Sequence, residues 1–525
     1  MNIVYFHKNN LSKIVLALIG LIVFAMGIGL FCCPPELSSD LSQAFQVLRS
    51  MHLGAGFNNL VSPDQGDISQ SFSQFFTWWS PGQYLVPYWI QLSTGLNMGH
   101  SIALTTMLSE LCGLAGFYCF FIKLGFSKNI AAISLLMIVC QIAFVIPYVY
   151  YNGGEVLLFA FEGWFLYGCA SIKTPGLRLV LLVLLSAFIG FFLKSSFLWM
   201  YAAGLLCLWI RLAASNGNKL YRLKLLLWVG LPAAVALAAI YTGFIAKGES
   251  PASVSYGFKL TWETFAYPIA SPLLAGFSVD ELLRGLEVPI VSSLLSPQWN
   301  FVILLLAALL SVLLIVAIAR YLHNSTYRLF LITFYAAAIV FFGYSYWHQL
   351  DISMEARHFR IVGLLLAPGV ISLAARLKPG LKMLLTIAVV GIGFYSFSFL
   401  IQGVMTNASN ARGILGVAQP NIDQVSLNKL LKLDKENNNL TFVLIGDDIG
   451  LELLHNRIIP LQPIPDDFRI DTGDYIYQGH GGPLYIVMPG DYQGVKEKMI
   501  LKFFRGYQNF NSETLSPNYR LYVAK

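Results

Sequence analysis

Residues 14–41 read IVLALIGLIVFAMGIGLFCCPPELSSDL, an unbroken apolar run to Phe31 followed by a polar segment that contains Asp40. A helix needs about 20 residues to cross the hydrocarbon core of a bilayer, so this run and its flanks predict a first membrane span. Asp40 then stands just outside that span. A carboxylate at the boundary between water and membrane suits chemistry on a substrate carried by a lipid.

The residues that follow Asp40 predict a short amphipathic helix. Its apolar side chains between Leu41 and Met51 share one helical face, as a period of 3.6 residues requires. The polar side chains fall on the opposite face: Gln43, Gln46, Arg49 and Ser50. Ser38 or Ser39 can cap this helix. We therefore expect it to lie in the membrane interface rather than to cross the membrane.

The composition predicts a polytopic α-helical membrane protein. Of 525 residues, 56% are hydrophobic and only 12% are charged, whereas a soluble domain carries about 25% charged residues. We predict about eleven spans, at 14–33, 98–122, 129–150, 154–171, 178–193, 196–212, 225–246, 299–320, 328–347, 359–376 and 381–403. The net charge of +7 could suggest nucleic acid, but the positions of the charges argue against such a partner.

The sidedness of the charges predicts the topology. With a cytoplasmic N-terminus, the inner segments hold lysine and arginine and no acidic residue, while the outer loops hold nearly all the acids of the membrane region. This asymmetry follows the positive-inside rule. Residues 1–405 are then a transmembrane domain with long outer loops at 34–97 and 247–298. The odd number of spans places residues 406–525 outside the cell or in the periplasm.

The end of the chain predicts a small extracytoplasmic α/β domain. Residues 442–446, 484–488 and 519–524 have the pattern of strands, and residues 493–504 that of a helix. Asp447 and Asp448 precede a further predicted helix at 449–455, which they are expected to cap.

Charged residues near a bilayer are costly, by roughly 2.5–3.5 kcal/mol at a helix centre, so each one requires an explanation. Five such residues are predicted at the outer boundary: Asp40, Glu155, Lys194, Arg357 and Arg360. Acids and bases at one membrane face suit a phosphorylated lipid. Arginine and lysine hold phosphate, a carboxylate accepts the proton of an attacking hydroxyl, and the cations stabilise the phosphate as it leaves.

Each of these residues also has a structural interpretation. Asp40 could cap its helix, and Glu155 could pair with Lys194 in a structural bridge. Lys194 could extend to lipid headgroups, and the two arginines could be interfacial anchors. The remaining charged groups, Glu110, Glu162 and His358, are interpreted first as buried groups with partners. Asp40 and Glu155 could instead provide oxygen ligands for a divalent cation, so no cofactor is certain and a divalent cation remains possible.

Five segments, taken in order, resemble a known family. They are Ser39-Asp40-Leu41, Pro81-Gly82-Gln83-Tyr84, Asn152 to Glu155, Gly190 to Ser195 with Lys194, and Arg357-His358-Phe359. This order is similar to that of the GT-C glycosyltransferases, within the branch of the protein O-mannosyltransferases and aminoarabinose transferases. The likeness covers about 400 residues.

The resemblance implies a GT-C-like fold and a glycosyltransferase of the bacterial inner membrane, acting in the cell envelope. Its donor would be a polyprenyl-phosphate-linked sugar, and its acceptor a hydroxyl of a lipid, glycan or protein. Asp40 and Glu155 would be catalytic, and Lys194, Arg357 and Arg360 would bind the donor phosphate. Gln83, Tyr84, Asn152 and His358 would line the substrate site.

Two other function classes stay open. A transporter or flippase for lipid-linked saccharides predicts charge near mid-membrane and broken helices, and Glu110 and Glu162 are consistent with it. A non-catalytic assembly subunit predicts an outer domain that captures a partner.

Overall fold

The computed structural model describes residues 3–214, 218–284, 297–446, 448–467 and 472–525. Contacts between residues divide the chain into two compact units. The first unit combines the N-terminal residues up to Ile28 with Thr106–Tyr148 and Gly153–Gln402. The second unit combines Gly29–Thr105, Val149–Asn152 and Gly403–Lys525. The first predicted outer loop therefore packs within the same unit as the C-terminal segment.

The described helices are α1 (Ile3–Cys32), α2 (Ser39–His52), α3 (Gly82–Thr94), α4 (Met98–Lys123), α5 (Lys128–Val139), α6 (Ile142–Val145), α7 (Gly154–Ser171), α8 (Leu177–Leu193), α9 (Phe197–Ala213), α10 (Lys219–Gly243), α11 (Glu263–Gly276), α12 (Val279–Arg284), α13 (Pro297–Tyr321), α14 (Ser325–Trp347), α15 (Arg360–Ala374), α16 (Pro379–Ser409), α17 (Gln424–Glu436) and α18 (Val495–Phe503). Each predicted span coincides with one of these helices, apart from the span at 129–150.

Among the described residues, seven helices are long and apolar enough to cross a membrane, or eight if one bent pair is a single span. They carry exposed apolar side chains, such as Leu309 on α13 and Phe394 on α16, which lipid rather than water accommodates. The chain is an integral membrane protein. Helices α8 and α9 are apolar but shorter, and their 17 residues each rise about 26 Å at 1.5 Å per residue.

The span predicted at 129–150 is broken. Helix α5 and the segment Ile142–Tyr148 meet at an angle of 74°. Two side chains satisfy polar groups at this break. The Ile142 N–H donates to Ser278 Oγ over 3.0 Å, and that hydroxyl donates to Gln141 Oε1 over 2.9 Å. The break is possible within an apolar segment because protein groups replace the lost helical partners.

The second unit contains a five-stranded sheet. Its strands are β7 (Thr441–Ile445), β8 (Arg457–Leu461), β9 (Leu484–Pro489), β10 (Asn511–Thr514) and β11 (Tyr519–Ala524), in the order β10-β11-β9-β7-β8. Strand β7 pairs in parallel with β8 and β9, while β11 is antiparallel to β9 and β10. The three strands predicted from the sequence and the helix predicted at 493–504 are confirmed to within one or two residues.

Both faces of this sheet are buried, as a parallel strand pair requires. Phe442 and Leu444 of β7 point into one apolar cluster with α17, and Val443 and Ile445 point into another with α18. Ile68, from the first predicted outer loop, belongs to the second cluster and is 0% exposed. The core of the C-terminal segment is therefore completed by a residue nearly 400 positions away.

Shorter strands join distant segments of the second unit. Strand β1 (Glu36–Leu37) pairs in parallel with β4 (Tyr150–Tyr151) and with β6 (Ala418–Gln419), and β6 pairs with β5 (Ala411–Arg412). A separate hairpin is formed by β2 (Asn59–Pro63) and β3 (Ser71–Phe75). The segment just before α2 is thus fixed by main-chain hydrogen bonds to residues more than 100 positions away.

The structure corrects the expectations for helix α2. Helix α2 is amphipathic as predicted, but Gln46, Arg49 and Ser50 of its polar face are buried. Arg49 donates hydrogen bonds to the carbonyls of Leu453 and Asn456, and Ser50 Oγ accepts one from the Val61 N–H. Its N-cap residue Ser38 makes no side-chain capping bond.

The predicted helix at 449–455 is only a 3₁₀ turn, Ile449–Glu452, and Asp448 makes no capping bond to it. The Asp448 carboxylate accepts a bond from Asn421 Nδ2 instead, over 3.1 Å. Asp447, the other predicted capping residue, lies outside the described residues.

Candidate active site

Glu155 lies in the first turn of α7 and is 8% exposed. The chain enters this helix from β4 through Gly153, whose φ of 44° is in the left-handed region, where a glycine has no steric penalty. The N-terminal end of a helix carries partial positive charge, which favours a carboxylate at this position. The local structure therefore stabilises a buried Glu155.

Lys194 lies immediately after α8 and pairs with Glu155. Its main-chain N–H donates to the Gly190 carbonyl over 2.9 Å, and its ammonium group bonds Glu155 Oε1. A cation at the C-terminal end of a helix is favoured by the helix dipole. A Cβ at Gly190 would overlap the Phe197 ring, so glycine permits the close packing of the turn that carries Lys194.

Arg357 approaches the same carboxylate from another segment. Its Nη1 lies 3.7 Å from Glu155 Oε1, and its Nε lies 2.5 Å from Glu355 Oε2. The Arg357 side chain is 34% exposed, against 14% for Lys194. We call Glu155, Lys194, Glu355 and Arg357 the Glu155 cluster. Its members come from three parts of the sequence and carry two charges of each sign.

Asp280 holds the segment that bears Arg357. Its Oδ2 accepts a hydrogen bond from the Ala356 N–H over 2.8 Å, and its Oδ1 accepts one from the Tyr267 hydroxyl over 2.6 Å. Ala356 begins the 3₁₀ turn Ala356–Phe359, which leads directly into α15. Asp280 therefore fixes the start of the turn that presents Arg357.

Arg360 lies deeper in the first unit, where a second group of charges is buried. Its Nη2 is 3.7 Å from Glu110 Oε1, and its guanidinium lies over the Phe159 ring, 4.4 Å from the centroid. Glu162 also interacts electrostatically with Arg360. We call Glu110, Glu162 and Arg360 the Arg360 cluster. Glu110 is 0% exposed and Glu162 3% exposed.

Helix α7 carries one carboxylate of each cluster. Glu155, Phe159 and Glu162 are spaced by four and three residues, so they share one face of the helix. Glu110 and Glu162 are buried, as predicted, and Arg360 is their charged partner, but neither oxygen of Glu110 accepts a hydrogen bond from the described residues. The partner, Arg360, could not be assigned from the sequence, because it lies about 200 residues farther along the chain.

His358 lies beside the Glu155 cluster in sequence and is half-buried. Its Nε2 is 3.2 Å from Ser353 Oγ, and its ring packs 5.7 Å from that of Phe342. Its predicted role in lining a substrate site stays a prediction.

The other predicted residues belong to the second unit. Asp40 is half-buried in the first turn of α2, where the helix dipole favours its charge. The Ser38 N–H, two residues before it, donates to the Tyr151 carbonyl over 3.2 Å. The Tyr151 hydroxyl in turn donates to the Gln83 carbonyl over 3.0 Å. Tyr151 thus connects the segments that carry Asp40, Gln83 and Asn152.

Gln83, Tyr84 and Asn152 are all buried. Tyr84 is 0% exposed and its hydroxyl donates to Asn58 Oδ1 over 2.6 Å. Asn152 is 8% exposed, and its buried Oδ1 accepts no hydrogen bond from the part of the chain that the structure describes. A buried carbonyl oxygen without a donor is costly, so Asn152 is the one of these three that best fits contact with a ligand.

Sequence reasoning did not identify Asp280 as part of the site. Its only feature in the sequence is that it is one of several acids in the outer loop predicted at 247–298, and this does not distinguish it from the others.

The described residues contain no group of three or more His, Cys, Asp or Glu side chains that could hold a metal ion. The Glu155 carboxylate is already bonded by Lys194, and the possible divalent cation stays a prediction.

The two cations of the Glu155 cluster, Lys194 and Arg357, are side chains of the types that bind phosphate. Glu155 bonds one cation closely and a second at 3.7 Å, so a phosphate could compete for both. Arg357 is the more exposed cation and offers the planar, forked donors that match phosphate oxygens. A carboxylate bound to two cations is a weak proton acceptor. The geometry therefore suits Glu155 for orienting Lys194 and Arg357 more than for accepting a proton.

Comparisons with known structures give the fold. The apo form of ArnT from Cupriavidus metallidurans matches with a TM-score of 0.51 and 11% identity, over 99% of this chain and 98% of that one. The chain has the fold of ArnT. The fold that the resemblance predicts is thus confirmed.

Two further structures are similar. ArnT from the same organism bound to undecaprenyl phosphate matches with a TM-score of 0.48 and 11% identity, over 98% of this chain and 97% of that one. The arabinofuranosyltransferase AftD from Mycobacteria matches with a TM-score of 0.48 and 14% identity, over 97% of this chain and 39% of that one. No protein-family model and no curated protein sequence matches the chain.

Proposed function

We propose that the protein is a membrane glycosyltransferase that moves a sugar from a polyprenyl-phosphate donor to a hydroxyl of a lipid, glycan or protein. We further propose that it acts at the outer face of a bacterial inner membrane, with residues 406–525 on the same side. The observation that carries the proposal is the Glu155 cluster, in which Lys194 and Arg357 converge on one buried carboxylate. The fold shared with ArnT supports the reaction class.

In the proposed reaction, Asp40 accepts the proton of the acceptor hydroxyl. The hydroxyl oxygen bonds to the anomeric carbon of the sugar, and the bond from that carbon to the phosphate oxygen breaks. The polyprenyl phosphate leaves with the electron pair. Lys194 and Arg357 stabilise its negative charge, while Glu155 and Glu355 hold the two cations in place between reactions.

A binding measurement tests the phosphate site without knowledge of the sugar. Undecaprenyl phosphate is titrated into the full-length protein in nanodiscs and detected by native mass spectrometry. We expect Lys194→Gln and Arg357→Gln to weaken binding at least 10-fold, since each removes a charged contact worth about 1.5–3 kcal/mol. Lys259→Gln, an exposed cation outside both clusters, is the matched control. Equal binding by all three variants would refute the phosphate site.

A transfer measurement tests the proposed base. Asp40→Asn is compared with the unchanged protein in proteoliposomes that contain a set of polyprenyl-phosphate-linked sugars and membrane lipids as acceptors. We expect a fall in turnover of about 10²–10⁴-fold, the usual contribution of a positioned base, and unchanged affinity for undecaprenyl phosphate. Turnover equal to that of the unchanged protein would remove Asp40 from the reaction.

A transporter for lipid-linked saccharides is the second candidate. The buried Arg360 cluster and the 74° break after α5 favour it, since transporters place charges and broken helices at their substrate sites. A fluorescent polyprenyl-linked saccharide in sealed vesicles separates the two functions. Protein-dependent movement between leaflets, without sugar transfer, would favour the transporter.

A further inference from the structure

The second unit contains a cavity of about 260 Å³ that none of the preceding roles involves. It lies where the end of α2, the β2–β3 hairpin, the loop before β7 and the start of β8 meet. Its polar lining residues include Arg49, Ser62, Ser71, Asn438, His455 and Arg457. Ligand pockets usually enclose ~300–1,000 Å³, so this cavity suits a small headgroup rather than a long chain.

The walls of the cavity are fixed by hydrogen bonds. Ser50 Oγ accepts the Val61 N–H over 3.1 Å and so holds the hairpin against α2. Asn456, in the opposite wall, donates from its main chain and from Nδ2 to the buried Asp434 carboxylate over 3.1 and 2.9 Å. A cavity with walls held in this way loses little entropy when it binds a ligand.

The charge of the lining is positive. Arg49 donates to the carbonyls of Leu453 and Asn456, each over 2.7 Å, and Arg457 donates to those of Ile68 and Gly481, each over 2.6 Å. In the part of the chain that the structure describes, neither guanidinium forms an ion pair with a carboxylate. Asp434 interacts with Arg49, and Asp67 with Arg457, only at longer range. No acidic residue is in the lining.

Two features indicate the chemical class of the ligand. Burial lowers the pKa of Arg49 to about 10, because the guanidinium loses favourable contact with water. An anion in the cavity would compensate for that loss. The exposed amides of Asn438 and Asn439 and the hydroxyls of Ser62 and Ser71 add neutral donors and acceptors beside the charges. Charged donors with amides and hydroxyls suit a hydroxylated anion.

We propose that this cavity binds a saccharide group that carries a phosphate or a carboxylate. Arg49 and Arg457 contribute the positive charge for the anionic group, while the asparagines and serines bond the sugar hydroxyls. The site is formed by residues of the second unit alone and does not depend on the proposed transferase function. Binding is therefore measured directly rather than through activity.

The probes are glucose 1-phosphate, glucuronic acid, glucose and inorganic phosphate, each titrated against the full-length protein in nanodiscs by ligand-observed NMR. We expect the two anionic sugars to bind at least 10-fold more tightly than either glucose or phosphate. Equal binding of glucose would refute the charge requirement, and equal binding of phosphate would refute the saccharide requirement. Absence of binding by both anionic sugars would overturn the proposal.

Variants on the exposed strand β3 locate the site without disturbing the core. Ser71→Asp places a negative charge in the lining and should weaken binding of the anionic sugars at least 10-fold. Ser71→Asn, which replaces the hydroxyl by an amide and adds no charge, should weaken binding less than Ser71→Asp. Ser73→Asp, which places the same charge outside the lining, should bind like the unchanged protein. Equal affinities of Ser71→Asp and Ser73→Asp would place the bound sugar elsewhere.

Discussion

The Arg360 guanidinium is buried with two carboxylates, Glu110 at 3.7 Å and Glu162 within electrostatic range. Arg360 starts α15, where the helix dipole disfavours a positive charge. The acids and the face of Phe159 offset that cost. Buried charges of this kind are stable only as a set, because each one compensates for the lost hydration of the others.

Arg360→Gln should therefore destabilise the protein by about 3–5 kcal/mol, the usual cost of removing one partner of a buried pair. The double variant Glu110→Gln/Arg360→Gln should recover part of this loss, because it leaves one fewer unpaired charge. Thermal unfolding in detergent measures both variants. A double variant less stable than Arg360→Gln alone would show that Glu110 contributes through contacts other than Arg360.

Three acids of the second unit respond to pH in a predictable direction. Burial raises the pKa of Asp448 and Glu452, and burial together with the Asp448 charge raises the pKa of Glu36. An acid whose pKa is higher in the folded than in the unfolded state makes its full contribution to folding stability at pH values below its ordinary pKa, which is near 4. That stability is lost as the pH rises through the raised values.

Asp448→Asn should therefore raise the melting temperature of the second unit at pH 7, by an amount on the order of 3 °C for each kcal/mol, and leave it unchanged near pH 3.5. The amide keeps an acceptor for Asn421 and removes the buried charge. Glu513→Gln, which removes a charge from the exposed strand β10, is the control. An equal effect of Asp448→Asn at both pH values would contradict this explanation.

At the level of elements, the 3₁₀ turn Ala356–Phe359 is too short to be stable alone, and Asp280 of α12 supplies its anchor. The turn begins with the Ala356 N–H bonded to Asp280 Oδ2. It places Arg357 near Glu155 and Arg360 near Glu110, so one short segment contributes to both clusters. Asp280 is a positioning residue in this arrangement.

Asp280→Ala should leave a buried N–H without an acceptor, at a cost of about 1–3 kcal/mol, and should weaken binding of undecaprenyl phosphate about 10-fold through displacement of Arg357. Asp280→Asn keeps an oxygen acceptor and should restore most of the affinity. Native mass spectrometry of the three proteins gives the comparison. Loss of stability in Asp280→Ala with unchanged affinity would limit Asp280 to a purely structural role.

At the scale of the whole molecule, the C-terminal sheet depends on the first predicted outer loop. Ile68 fills the apolar cluster beneath β7, β9 and α18, and its N–H donates to the Gln478 carbonyl over 2.8 Å. Arg49 bonds the loop before β8. The fold of residues 403–525 is therefore completed by residues 29–105.

Ile68→Ala should destabilise the second unit by about 2–5 kcal/mol, the range for large-to-small changes in a core. Phe72→Ala, four residues later on the exposed strand β3, removes a larger side chain and should have little effect. Hydrogen exchange of β7 and β9 reports the stability of the sheet directly. Similar exchange in both variants would mean that the sheet is stable without the loop.

The sequence by itself determined the membrane class, the positions of most of the long apolar helices and three of the five strands of the C-terminal sheet, since apolar runs and alternation are local properties. It also singled out Glu110, Glu155 and Glu162 as charges in or beside apolar segments, but it did not identify the buried Asp280. The sequence also offers the pairing of Glu155 with Lys194 as one of two interpretations, and the structure contains this pair.

Only the tertiary structure decided which of these charges meet. Arg357 reaches Glu155 and Arg360 reaches Glu110 across about 200 or more residues, and no local pattern records such a distance. The same reason explains the buried polar face of α2, whose partners, the carbonyls of Leu453 and Asn456, are main-chain atoms that any sequence would supply. Pairings between distant segments depend on how the helices pack, and packing is a property of the complete chain.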